Sequence, residues 1–180
     1  MTKFSQNKTK LLIAGEENRT QAAELILYII NYLGKEIDHQ TSFSTQSNQS
    51  DFILYEGEED NFDNYHPNIV LITSSGGSSN YGNLLKTIVS GGVLIYNEAD
   101  ESLKSELESV STFFRKLPFT TPNFQKDSQG ILLETDLGEI PLAVSPESNF
   151  DYISGVKLLG QQLGIMEEEF YEALLTYSFN

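Results

Sequence analysis

The strongest constraint on this chain is the rhythm of its apolar runs. Leu11-Leu12-Ile13-Ala14, Phe52-Ile53-Leu54-Tyr55, Ile69-Val70-Leu71-Ile72 and Val93-Leu94-Ile95-Tyr96 are short and nearly free of polar residues. Runs of that length and continuity mark strands covered on both faces, as in a parallel sheet. Between them the period changes. From Arg19 the apolar residues Ala22, Ala23, Ile26, Leu27, Ile30 and Leu33 recur at helical spacing. Asn18 is placed to cap that helix, with Gln21 three residues on as in a capping box, and Gly34 suits its C-terminus. A short helix is predicted over 81–89, and Leu103 and Leu107, four apart among charged residues, predict a surface helix over 99–110. Strands alternating with helices predict an α/β domain with a mostly parallel sheet.

From Phe113 the pattern breaks into short strand-like pieces punctuated by Pro118, Pro122, Gly130, Gly138, Pro141 and Pro146, with an Asp136-Leu137-Gly138 corner that suggests a hairpin. Two helices follow, carrying Ile153, Val156, Leu159 and Leu163, then Phe170, Ala173, Leu174 and Tyr177, with Gly164 between them. The expected organisation is one domain: a parallel α/β part over about 10–112, a small antiparallel β flap over 113–147 and closing helices over 148–177. The Ser-, Thr-, Gln- and Asn-rich stretch 39–50, with Phe43 its one apolar anchor, reads as a polar loop or a weak edge strand, the solvated connection being preferred.

Composition narrows the function. At 180 residues the chain has the length of one domain. Its 26 acidic against 11 basic residues give a net charge of -15, which repels a phosphate backbone or an anionic membrane. With no cysteine and two histidines, thiolate chemistry, disulfides and zinc sites are not expected; His39 and His66 fall in loops without a second ligand nearby. Met1 to Lys10 lacks the apolar core of a leader, and 25–30, the longest apolar run, is too short to span a bilayer, so the expected location is the cytoplasm. Tyr28, Tyr32, Tyr152 and Tyr171 sit beside apolar helix residues and read as packing side chains with wet hydroxyls.

The loop Gly15-Glu16-Glu17-Asn18-Arg19-Thr20 stands where a phosphate-binding loop would, between a strand and a helix. It lacks the second glycine and the lysine, and two carboxylates fill the place of the phosphates, so a site that fills itself is expected. The alternative has Arg19 replacing the lysine and Thr20 reaching magnesium. The acidic loop Glu56-Gly57-Glu58-Glu59-Asp60 follows a strand, where magnesium carboxylates often sit, although a charge run taken alone reads first as a solvated face.

The order of these pieces resembles the central, ATP-binding domain of the Mur ligases, most nearly the branch acting on UDP-N-acetylmuramic acid with alanine or a muramyl peptide. The segments that carry the resemblance are Gly91-Gly92-Val93-Leu94-Ile95-Tyr96-Asn97-Glu98-Ala99-Asp100, Gly138-Glu139-Ile140-Pro141-Leu142, 149–164 and 167–177. It implies a P-loop-like parallel sheet with a β flap, and ATP and magnesium as ligands. Gly15 falls on the first glycine of the family's Gly-Thr-x-Gly-Lys-Thr/Ser loop, Asn18 and Arg19 on its last glycine and lysine, and Thr20 on its final hydroxyl. Glu56, Glu58 and Glu59 resemble the family's Glu-Ala-Asp-Glu segment that supplies a magnesium carboxylate, with Glu59 as its equivalent, so Thr20 and Glu59 are the implied metal ligands. Asn97 and Asp100 match the adenine-side segment. Gly76-Gly77-Ser78-Ser79 replaces the turn that carries a metal-binding histidine, and Pro146 and Ser148 replace the glycine and histidine of Gly-x-His-Asn, leaving Asn149 in register.

The resemblance leaves no space for the family's UDP-sugar domain before Lys10 or its C-terminal domain after Asn180. The expected function is therefore a degenerate, stand-alone Mur-ligase-like domain without ligase activity that acts by binding a partner protein or a small ligand. The alternatives are an ATP-dependent carboxylate–amine ligase of peptidoglycan synthesis or recycling that takes its missing domains from another chain, and an adenine-nucleotide sensor that does not hydrolyse.

Overall fold

The structure, a computed structural model, describes residues 7–41, 44–57, 65–76, 81–126, 130–142, 144 and 149–179. The predicted buried runs form β1 (Thr9–Ala14), β4 (Phe52–Glu56), β5 (Ile69–Ile72) and β6 (Val93–Asn97), all mutually parallel. With β2 (Asp38–Gln40), β3 (Thr45–Gln46) and β7 (Arg115–Phe119) they make a seven-stranded sheet of order β3-β2-β4-β1-β5-β6-β7. Three helices cover one face: α1 (Arg19–Tyr32), α4 (Tyr152–Gln162) and α5 (Glu167–Leu174). The other face carries α2 (Gly82–Thr87) and α3 (Glu101–Ser109).

The two-residue period of the strands explains why both faces are apolar. Along β1, Leu11 and Ile13 join the core under α1, α4 and α5, while Leu12 and Ala14 join the core under α2 and α3. All four are essentially inaccessible to water. Gly155 of α4 lies close enough to β5 and the sheet edge that a Cβ there would stand 2.8 Å from both Leu71 Cδ1 and Phe119 Cε1, so the helix descends onto the sheet at that point. Helices α1 and α4 end as the sequence predicts, with positive φ at Gly34 and Gly164.

Three expectations are corrected. The polar stretch 39–50 contains β2 (Asp38–Gln40), which pairs parallel with β4, and β3 (Thr45–Gln46), its antiparallel neighbour at the sheet edge. What holds these strands is polar: Asp38 is fully buried, ion-pairs with Lys8 and accepts the amides of Asn48 and Ser50 at 2.7 and 3.3 Å. The segment beginning at Phe113 is not all flap. β7 (Arg115–Phe119) lies parallel to β6 and ends the main sheet, so the antiparallel sheet consists of β8 (Phe124–Lys126), β9 (Ile131–Thr135) and β10 (Gly138–Leu142). Its β9–β10 corner is the predicted hairpin, with Gly138 opposite Thr135. Ile131, Leu133, Ile140 and Leu142 fasten this small sheet to the core shared with α4 and α5. Finally, Asn18 is the N-cap of α1, but it adopts the left-handed conformation (φ 59°, ψ 13°) and its side chain makes no capping bond, so no capping box forms with Gln21.

Among the described residues no helix is long and apolar enough to cross a membrane. Of the four helical tyrosines, Tyr152 and Tyr171 are buried, Tyr28 is half-buried and Tyr32 is exposed; Tyr28 donates to the Thr176 carbonyl at 3.1 Å, Tyr32 to Glu172 at 3.3 Å, and Tyr171 accepts from Lys157 at 3.2 Å.

Candidate functional site

The sheet order fixes where a site belongs. The chain leaves β1 toward β2 through α1 and returns on the other side of β1 at β5, so β1, flanked by β4 and β5, is where the winding reverses. In such sheets the crevice outside the carboxyl ends of the strands at that reversal is the ligand site. Three loops meet there: 15–18 after β1, the turn after β4 starting at Glu56, and Thr73–Gly76 after β5.

Loop 15–18 is bound to the loop after β5. Gly15 has φ 141°, which L side chains rarely adopt, and a Cβ on it would overlap the Thr73 hydroxyl. Thr73, nearly buried, donates its Oγ1 to the Glu17 carbonyl at 2.5 Å and its amide to the Ala14 carbonyl at 3.0 Å. The Glu16 amide donates to the Ser74 carbonyl at 3.0 Å. The Glu16 carboxylate lies against Gly76, leaving no space there for a side chain.

The other wall is built on Glu56, the last residue of β4. Thr20, in the first turn of α1, donates to Glu56 Oε1 at 2.6 Å. Arg19 Nε stands 3.8 Å from the same oxygen, and its guanidinium reaches the Gly57 carbonyl at 3.4 Å. The β1–β4 register, which sets Ile13 opposite Glu56, brings these residues together. Glu59, the carboxylate singled out from sequence, lies outside the described residues, as do Gly77, Ser78, Ser79, Pro146 and Ser148. Among the described residues, Glu56 is the acidic residue that meets Thr20.

The residues matched to the adenine side stand on the same edge of the sheet. Asp100 caps α3 by accepting the Leu103 amide at 3.0 Å and also takes both the amide and the hydroxyl of Ser75, at 2.8 and 2.6 Å. It thereby ties the loop after β5 to α3. Asn97 Oδ1 accepts the Ala99 amide and Asn149 Oδ1 the Asp151 amide, both at 2.9 Å.

These residues fit a magnesium ion in part and a polyphosphate poorly. Thr20 and Glu56 place a hydroxyl and a carboxylate together, the pair of protein oxygens that P-loop enzymes offer to magnesium. Magnesium takes six oxygens and relies on phosphates and water for most of them. Among the described residues no group of three or more acidic or imidazole side chains is placed to hold a metal. A phosphate cradle needs inward-facing amides and a cation. Here the Glu16 amide is bonded to Ser74, the Arg19 guanidinium lies on the Glu56 and Gly57 side, and a carboxylate stands on each wall. A phosphate charge 4 Å from either carboxylate would meet ~4 kcal/mol of repulsion at an effective dielectric of about 20.

The fold and crevice define a doubly wound α/β domain with a phosphate-loop frame, and the comparison with solved structures narrows that class: the chain has a Mur ligase fold, that of the central domain. It aligns over 98% of its length with 48% of a murein peptide ligase from Psychrobacter arcticus (TM-score 0.74, 11% identity). It aligns over 99% with 68% of the UDP-N-acetylmuramate:L-alanyl-gamma-D-glutamyl-meso-diaminopimelate ligase of Neisseria meningitides (TM-score 0.72, 16% identity). A MurF ligase from Thermotoga maritima, solved with ADP, matches over 97% of this chain and 49% of its own (TM-score 0.67, 10% identity). The chain thus spans about half the length of two of these ligases and two thirds of the third, and at these identities what is shared is the fold. No family model matches the sequence. No curated protein matches it either.

Proposed function

We propose that this chain is a degenerate Mur-ligase-like domain that does not ligate and acts by binding, either a protein partner or a small ligand in the crevice at the end of β1. The observation that carries this reading is the closure of loop 15–18: its Glu16 amide is bonded to Ser74, and its Glu16 carboxylate occupies the Gly76 wall. Transfer through an acyl phosphate depends on positioned phosphates, metals and cations, and this crevice offers carboxylates at the phosphate position. The ligands carried by the resemblance, ATP and magnesium, are accordingly weak or lost here. Gly15, Arg19 and Thr20 frame the crevice without cradling a polyphosphate.

The Thr20–Glu56 pair favours a second reading, an ATP-dependent ligase that borrows its other domains from a second chain. A test on one residue separates the two. If Arg19 were merely a poor substitute for lysine, Arg19→Lys would restore ATP binding. We expect that variant to bind no ATP at millimolar nucleotide, with or without magnesium, because Glu16 still faces the loop. A micromolar dissociation constant for Arg19→Lys, measured by calorimetry, would overturn the reading of the loop. Equal binding of adenosine, ADP and ATP would point instead to a sensor using Asn97, Asp100 and Asn149.

A further inference from the structure

A second cleft lies away from the crevice, between α1 and the β2–β3 edge of the sheet. Its volume is about 610 Å³, within the range of small-ligand sites. Glu24, Tyr28 and Asn31 of α1, His39 of β2, Gln46 of β3 and Tyr177 line it. It shares no residue with the crevice described above, so it stands or falls independently of the proposed function.

Three observations define its chemistry. Tyr28 and Tyr177 meet edge to face with ring centroids 5.0 Å apart, and the Tyr28 hydroxyl is held by Thr176, so an aromatic corner is fixed in advance of any ligand. Glu24 is exposed and makes no hydrogen bond or ion pair among the described residues, yet it lies near enough to Tyr177 to add to the effect of burial in keeping that phenol protonated. The His39 Nε2 is buried with no hydrogen-bond partner among the described residues. Burial holds the His39 ring below its ordinary pKa against the opposing pull of Glu56, so the ring brings no competing positive charge to the cleft. Lys35 and Glu36, both exposed, also border the cleft, and their charges offset each other.

We propose that this cleft binds an organic cation, a primary ammonium or a guanidinium like the head of a lysine or arginine side chain. An unpaired carboxylate beside tyrosine rings, with no charged imidazole opposing it, is the set of groups that recognises an organic cation. A neutral ligand would gain little from Glu24, and an anion would be repelled by it and by a chain of net charge -15.

The test is an NMR titration of the isotope-labelled chain with pentylammonium and, in parallel, with 1-pentanol, which keeps the carbon skeleton and loses the charge. Pentylammonium is expected to shift the backbone amides of Glu24, Tyr28, His39, Gln46 and Tyr177 along a saturating curve, and 1-pentanol to give no saturating shifts. Glu24→Gln, at an exposed helix position, is expected to weaken pentylammonium binding by roughly three- to tenfold. Glu108→Gln, an exposed carboxylate on α3 across the sheet, is expected to leave it unchanged. Equal affinity for the alcohol, equal affinity of the Glu24→Gln variant, or shifts confined to the crevice at Glu16 and Glu56 would each overturn the assignment.

Discussion

Replacing Asp38 by alanine is expected to lower the free energy of unfolding by about 3–5 kcal/mol in urea, the scale of breaking a buried ion pair from one side. The carboxylate has no exposure to water and is the hub of the sheet edge: it pairs with Lys8 and accepts the amides of Asn48 and Ser50, which lead from β3 into β4. Without it, Lys8 loses its carboxylate and two amides lose an acceptor. The same group makes stability depend on pH in a defined direction. Burial by itself would raise the Asp38 pKa, but the Lys8 ammonium and the Asn48 and Ser50 amides outweigh it and hold the carboxyl below its usual range. A folded-state pKa below the unfolded one means that the contribution is present above the unfolded value, near 3.9, and is lost as pH falls through the folded one. Stability of the wild-type chain should therefore fall more steeply below about pH 5 than that of Asp38→Asn. Parallel curves for the two proteins would remove Asp38 from the account of this edge.

Gly15→Ala is expected to cost about 2–5 kcal/mol, combining a backbone angle that alanine rarely adopts with overlap in a closed space. The methyl group would meet the Thr73 hydroxyl, whose Oγ1 bonds the Glu17 carbonyl. A double-mutant cycle with Thr73→Ala checks the cause: removing the hydroxyl relieves the overlap, so the two costs should sum to more than the double variant shows. Additive costs would mean that the strain at Gly15 lies in its backbone angle alone. A large cost at Gly15 also bears on function, since it would mean that the loop is held in its closed form by packing.

Much of this architecture is legible in the sequence, and the parts that are not share a physical reason. Strands β1, β4, β5 and β6 announce themselves because both faces are buried, which forces continuous apolar runs. Strand β2, Asp-His-Gln, has no such run, because a buried carboxylate with three partners sets it in place. Strand β7 is legible as a strand-like piece but not as a member of the main sheet: at the sheet edge most of Arg115–Phe119 is exposed, and Pro118 costs little where no further strand pairs, so its sequence resembles the flap strands that follow. The site divides in the same way. Gly15 and Thr20 are visible from the order of strand, loop and helix. The acidic partner of Thr20 is legible only as a run: the register that sets Ile13 opposite Glu56 brings Glu56 to Thr20, while Glu59 lies outside the described residues. The available signal is that Glu56 directly ends an apolar run, where a strand delivers its last side chain to the crevice. Asn18 matches a capping residue by type, yet its left-handed backbone leaves the side chain outside the capping geometry.

Calorimetric titration of the wild-type chain with ATP, with and without magnesium, and with ADP and adenosine beside it, addresses the central claim. The closed loop, with carboxylates of Glu16 and Glu56 on its two walls, predicts no binding heat at millimolar ATP and no change on adding magnesium. Micromolar ATP binding that requires magnesium would contradict that account and make the Thr20–Glu56 pair the metal site of a working ligase domain.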